Sequence, residues 1–210
     1  MRSLNGPLAA ALLGLVLVAC GDSTSSITDA NGAGLAPAAL IGNNGNGFGN
    51  QEPISVIAGA PALQTTHAEF WAVQGKQRSV TISYLPPPGE TEGKVFLRFT
   101  VPVKAHLVSP DGRRLARGDS LRIAVGVVPG KLEAEFSPHG LVFADGVPAQ
   151  LDISYYYGDT RGRPTDQLGM WYLPSEGSSP EPVYAVVNSK GWMVQGLIEH
   201  FSNYAVAYRR

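Results

Sequence analysis

From about Pro53 onward the chain is a succession of short runs in which every second residue is apolar, each run cut off by glycine, proline or asparagine. A period of two over four to eight residues is the signature of half-buried strands, and it leaves little room for helix. Val80, Ile82 and Tyr84 share one face, Val95, Leu97, Phe99 and Val101 another, and Leu121, Ile123, Val125 and Val127 a third. Further runs cover residues 132–136, 151–157, 170–173, 183–187, 192–198 and 204–208. Pro86-Pro87-Pro88-Gly89, Pro110-Asp111-Gly112, Pro129-Gly130, Asp145-Gly146 and Glu176-Gly177-Ser178-Ser179-Pro180 fix φ or supply positive φ where the chain reverses, and Asn188-Ser189-Lys190-Gly191 reads as a hairpin turn. The segment from Phe70, Trp71 and Gly75 to Tyr84 reads as a hairpin added at the front. Twenty-five Gly, 16 Pro and only 16% charged residues point the same way, against long amphipathic helices. Roughly 155 residues in eight or more strands bury a core that needs neither metal nor disulfide, as befits a chain with one cysteine. The expected fold is all-β, a single antiparallel β-sandwich over residues 53–210.

The first 52 residues follow other rules. Arg2, an uncharged stretch over residues 8–19 and small residues before Cys20 have the layout of an export signal. The apolar run is shorter than the roughly 20 residues a spanning helix needs, and Gly21-Asp22-Ser23-Thr24-Ser25-Ser26 follows at once. Leu17-Val18-Ala19-Cys20 resembles the lipobox of bacterial lipoproteins. That resemblance implies a signal peptide over residues 1–19, a diacylglyceryl group on the Cys20 sulfur, cleavage before Cys20 and acylation (palmitate or a similar chain) of the new amine. Each buried methylene contributes about 0.8 kcal/mol, so two or more chains hold a protein to a membrane where one is marginal. Gly21 stands where enteric bacteria place an inner-membrane retention aspartate, which directs the expectation to the outer membrane of a two-membraned cell.

Residues 20–52 are built largely from Gly, Asn, Ser, Thr and Ala, with Gly42-Asn43-Asn44-Gly45-Asn46-Gly47-Phe48-Gly49-Asn50 at the centre. Such a composition buries too little apolar surface to offset its ordering entropy, and a disordered tether reaching roughly 30 Å is expected. No Lys or Arg occurs between Arg2 and Lys76, so no polybasic attraction to anionic lipid is expected and the acyl group alone would hold the protein down. Leu35-Ala36-Pro37-Ala38-Ala39-Leu40-Ile41 offers the alternative of a short apolar motif that docks on a partner.

Sixteen Lys+Arg against 17 Asp+Glu give a net charge of −1, without the basic surface that nucleic acid requires. His67, His106, His139 and His200 have no metal-ligand spacing. Asp152, Asp159, Asp166, Glu176 and Glu181 match no calcium loop, and neither a nucleophile elbow nor a phosphate-cradling glycine loop occurs. Arg161-Gly162-Arg163 reads as a solvated loop. No cofactor is implied. Tyr155, Tyr156, Tyr157, Trp171 and Tyr172 could form an aromatic platform for a glycan if Tyr156 and Trp171 share an exposed face, although alternation turns at least half of them to the core.

Two further stretches carry a family resemblance. Glu135-Phe136-Ser137-Pro138-His139-Gly140-Leu141-Val142-Phe143, leading through Val147-Pro148-Ala149-Gln150-Leu151 to Ile153-Ser154-Tyr155, is one, and Ile198-Glu199-His200-Phe201-Ser202-Asn203-Tyr204-Ala205-Val206-Ala207 is the other. With Leu168-Gly169-Met170-Trp171-Tyr172 between them, residues 96–208 resemble the ZU-five domain of zonula occludens proteins, Unc-five receptors and ankyrins. The front of that family's pattern is only echoed, by Phe99-Thr100-Val101-Pro102-Val103-Lys104-Ala105. The resemblance implies a β-sandwich. It also implies a reaction, because His-Phe-Ser is a self-cleavage site in some members of the family and stands here as His200-Phe201-Ser202. The Ser202 hydroxyl would attack the Phe201 carbonyl, His200 would move the proton, and water would hydrolyse the ester. The same letters also suit plain packing, with Phe201 as a core plug and His200 at a strand end.

The expectation for function is therefore a lipid-anchored, non-enzymatic interaction or structural module of the cell envelope, meeting a protein partner through its edge strands. Single-turnover self-cleavage between Phe201 and Ser202 and glycan binding are the alternatives. Nothing in the sequence sets the oligomeric state.

Overall fold

The computed structural model describes residues 53–174 and 178–208. Cys20, the signal and tether residues 1–52, and Glu176 lie outside them. Thirteen strands are described: β1 His67–Val73, β2 Arg78–Ser83, β3 Val95–Val101, β4 His106–Val108, β5 Ser120–Val127, β6 Glu133–Ser137, β7 Val142–Ala144, β8 Ala149–Ser154, β9 Leu168–Leu173, β10 Glu181–Val183, β11 Ala185–Asn188, β12 Met193–Ile198 and β13 Asn203–Tyr208. The only helical turn among the described residues is a short 3-10 segment at Thr165–Gln167. The fold is all-β and antiparallel throughout, a sandwich-like pair of sheets in the orders β1-β5-β6-β13-β9-β10 and β11-β12-β8-β3-β2, with β4-β7 as a small third sheet.

Alternation places one face of each large sheet in a common core. Ile82, Leu97, Phe99, Ile123, Val125, Phe136, Leu151, Ile153 and Val194 are fully buried there. On β3 the alternation breaks at Phe96, which the period of two assigns to the solvent side. Its ring is buried and meets Tyr84 edge-on at 5.7 Å. The register between β2 and β3 slips at this point, with Ile82 opposite Leu97 and Ser83 opposite Val95, so Phe96 is the extra residue of a bulge.

The front of the chain corrects the hairpin reading. Strands β1 and β2 do not pair with each other: β1 pairs with β5, and β2 with β3. The turn between them carries the chain from one sheet to the other. Gly75 provides the positive φ of 84° that the corner needs, and the buried Gln74 side chain holds it by donating to the Ala105 carbonyl (2.8 Å) and accepting from the Leu107 N–H (2.9 Å). Residues 183–187, read as one strand, are divided in the same way, with β10 in the six-stranded sheet, β11 in the five-stranded sheet and Tyr184 between them. The run at 151–157 is also shorter than the apolar letters imply: β8 ends at Ser154, whose hydroxyl accepts from the Tyr156 N–H. The hairpin at residues 188–191 forms as expected, closed by the Asn188 side chain accepting from the Gly191 N–H at 3.0 Å.

Candidate functional site

His200, Phe201 and Ser202 lie where the chain leaves β12 in one sheet and enters β13 at the middle of the other. This crossover is hydrogen-bonded to the stretch on either side of Gly140. Phe143 N–H donates to Glu199 O (2.7 Å), Phe201 N–H to Leu141 O (2.8 Å), Gly140 N–H to Phe201 O (3.4 Å) and Phe136 N–H to Ser202 O (3.1 Å). The two sequence stretches that stood out are thus paired with each other in space.

Phe201 is buried, with ring centroids 5.6 Å from Phe99 on β3, 5.1 Å from Phe136 on β6 and 5.5 Å from Phe143 on β7. One side chain therefore touches all three sheets. Its peptide bond to Ser202 is trans, and neither residue has positive φ.

The His200 ring stands edge-on to Tyr172 at 4.7 Å, with Nδ1 3.3 Å from the Tyr204 hydroxyl. That hydroxyl donates its one proton to the His200 carbonyl at 2.6 Å, and can only accept from the ring. The pairing selects the Nδ1–H tautomer and leaves Nε2 with its lone pair. Burial above all, then the neighbouring Tyr172 and Glu199, raises the Tyr204 hydroxyl well above the ordinary tyrosine range, so the proton stays in place. The Ser202 hydroxyl donates to Leu173 O at 3.4 Å, and no hydrogen bond among the described residues joins it to His200. The crossover supplies a nucleophile, a base of defined tautomer and one N–H at the intervening carbonyl, with nucleophile and base turned to different partners.

The aromatic residues are distributed otherwise than the glycan reading needs. Trp171 projects from β9 of the six-stranded sheet and is 9% exposed, while Tyr156 follows β8 of the other sheet. Tyr155 is buried, and Tyr172 packs on His200 and Tyr204. The exposed partner of Tyr156 is Trp192, which sequence reading left inside a strand. Its φ of 56° swings the indole to within 5.5 Å of Tyr156 at 78°, and Lys94 covers the other ring at 5.4 Å. The letters Gly191-Trp192 at a hairpin end gave the only hint. Among the described residues no cluster of three or more His, Cys, Asp or Glu could hold a metal.

One sheet edge is apolar. Tyr184 between β10 and β11 is 72% exposed, and Val186 on β11 and Leu197 on β12 are also exposed. Leu197 N–H donates to Tyr184 O, so these side chains adjoin across the strand pair.

Fold and site together define an all-β, sandwich-like protein with an aromatic crossover at its centre and an apolar corner at one edge. No known family, curated protein or solved structure matches the chain.

Proposed function

We propose that the protein is a bacterial lipoprotein with lipid on Cys20, a Gly/Asn/Ser-rich tether over residues 20–52, and a ZU-five-like single β-sandwich that serves as a non-enzymatic interaction or structural module at the cell envelope. Leu17-Val18-Ala19-Cys20 supports the anchor. The observation that carries the interaction reading is the edge at Tyr184, Val186 and Leu197, where large apolar side chains stand in water beside a short edge strand. An envelope protein that adds a strand beside β11 would cover them.

The test has two arms. Protein extracted from membranes is expected to have the mass of residues 20–210 plus a diacylglyceryl and a further acyl group, and Cys20→Ala to lose that lipid mass. A photo-crosslinker at Val186 is expected to give a discrete adduct in cells that the same group at the exposed Val103 does not. Equal adducts at both positions, or none, would sink the edge as the contact surface.

A second reading rests on the Gly140 N–H at the Phe201 carbonyl, a donor located where negative charge would develop. In it, Ser202 Oγ attacks the Phe201 carbonyl carbon, its proton passes through His200 Nε2 to the departing Ser202 nitrogen, and the C–N bond breaks to leave an ester. Water then gives the Phe201 carboxylate and restores the Ser202 hydroxyl. Intact mass under denaturing conditions, beside a Ser202→Ala control, decides it: an unbroken wild-type chain removes this reading.

A further inference from the structure

The outer face of the six-stranded sheet is open to water at β1 and β5, where Trp71 and Arg122 are exposed, but closed over β6, β13 and β9. On β13 and β9 the residues that point away from the core pair as Asn203 with Leu173, Ala205 with Trp171 and Ala207 with Gly169. Ala205 and Ala207 are fully buried and Trp171 is 9% exposed, yet none of the three belongs to the core between the sheets. Apolar residues on both sides of a strand are the mark of a strand covered on both sides. The described strands form the two large sheets and the small β4-β7 pair, with no further sheet described to pair with this side.

Its polar atoms tell the same story. Glu133 and Glu135 point outward from β6 and are buried, at 4% and 5% exposure. Among the described residues five buried side-chain atoms lack a hydrogen-bond partner, and four of them are on this face: His67 Nδ1, Glu135 Oε1, Asn203 Oδ1 and Trp171 Nε1. Three fall in one row across the sheet, because His67 pairs with Gly126, Gly126 with Glu135 and Glu135 with Asn203. A patch over β6, β13 and β9 that is closed to water yet leaves donors and acceptors unmet at Glu135, Asn203 and Trp171 awaits an occupant that is apolar in one part and rich in hydrogen-bonding groups in another.

We propose that the occupant is the chain's own segment 35–50. Its apolar part, Leu35-Ala36-Pro37-Ala38-Ala39-Leu40-Ile41, suits the small-residue surface of Ala205, Ala207 and Gly169 beside Trp171. The carboxamides of Asn43, Asn44, Asn46 and Asn50 can donate to Glu135 and Asn203 and accept from the Trp171 indole. The segment carries no charge that would have to be buried. The point of departure also fits: Pro53, the first described residue, pairs with Ala207 at the end of β13, so the chain upstream begins at this face. An extended chain reaches roughly 3.3 Å per residue, enough for residues 35–50 to lie anywhere on it. On the anchored reading above, the reach from Cys20 would then be set by residues 21–34, roughly 20 Å rather than roughly 30 Å.

The test uses the full chain with Trp71→Phe and Trp192→Phe, both at exposed positions, so that Trp171 alone reports. Acrylamide quenching is expected to be weak and independent of protein concentration. Adding Leu40→Asp and Ile41→Asp is expected to raise it severalfold and shift emission to the red, with the far-ultraviolet β signal unchanged. A photo-crosslinker at position 40 is expected to give intrachain adducts to β9 or β13. Quenching that ignores the Asp substitutions overturns the proposal. So does protection that disappears on dilution, which would assign the face to a second copy, or protection lost on purification, which would assign it to another protein. These readouts do not depend on lipid or on the β11 edge, so their failure leaves the preceding reading untouched.

Discussion

Phe201→Ala removes a side chain that touches all three sheets. Replacing a buried phenylalanine by alanine costs about 3–5 kcal/mol, through lost transfer energy and the cavity left behind. Phe201 is 2% exposed and meets Phe99 and Phe143 edge-on, contacts of a kind that contribute about 0.5–1.5 kcal/mol beyond area alone. The surrounding strands are fixed by ladder hydrogen bonds and cannot close the gap, so the cost belongs at the upper end, about 4–5 kcal/mol. Urea unfolding followed by near-ultraviolet circular dichroism measures it, with melting expected to fall by roughly 10–15 °C for a domain of this size. Phe201→Leu keeps most of the volume and is expected to lose under about 1.5 kcal/mol, which keeps the comparison readable should the alanine variant fail to accumulate. A loss below about 1 kcal/mol for Phe201→Ala would refute the plug, since it would match an ordinary surface change rather than a core deletion.

Burial raises the carboxyl pKa of both Glu133 and Glu135, against partial relief from Lys131 for the first and His139 for the second. The folded state thus holds these protons more tightly than the unfolded one, and their contribution to stability is full below the usual glutamate value of 4.5 and falls as pH rises through the raised values. Glu133→Gln and Glu135→Gln are expected to be more stable than wild type at neutral pH and to lose that advantage on acidification; urea midpoints across the range check it against the opposite trend of Glu69, whose pKa is lowered chiefly by its hydrogen bond to His67. Gly196→Ala would drive a methyl into the Met170 sulfur across the core, and a loss of about 1–3 kcal/mol is expected, partly recovered by adding Met170→Val. Gln74→Leu strands the Ala105 carbonyl and the Leu107 N–H, at about 1–3 kcal/mol for each group left unpaired, measured by the same unfolding curves and by faster amide exchange at Leu107.

The sequence by itself determined the strands, the turns and the facing of most side chains, because a period of two and a glycine or asparagine at a reversal act within a few residues. Leu132, Ala134 and Phe136 are inside and Glu133 and Glu135 point outward, as alternation requires. What alternation cannot say is that the outward side is also closed to water, as it is at both glutamates. Sheet membership was equally out of reach. Strands β1 and β2 have the letters and spacing of a hairpin, and residues 183–187 those of one strand, yet each divides between the two sheets. The reason is that a strand's pattern is the same whichever neighbour it takes; the choice is made by hydrogen bonds and buried area shared with residues far along the chain. The crossover shows both halves of this lesson. His200, Phe201 and Ser202 were legible as a motif, while the Tyr204 hydroxyl that sets the imidazole tautomer, the Gly140 N–H on the Phe201 carbonyl and the three rings around Phe201 come from segments that only the tertiary structure brings together.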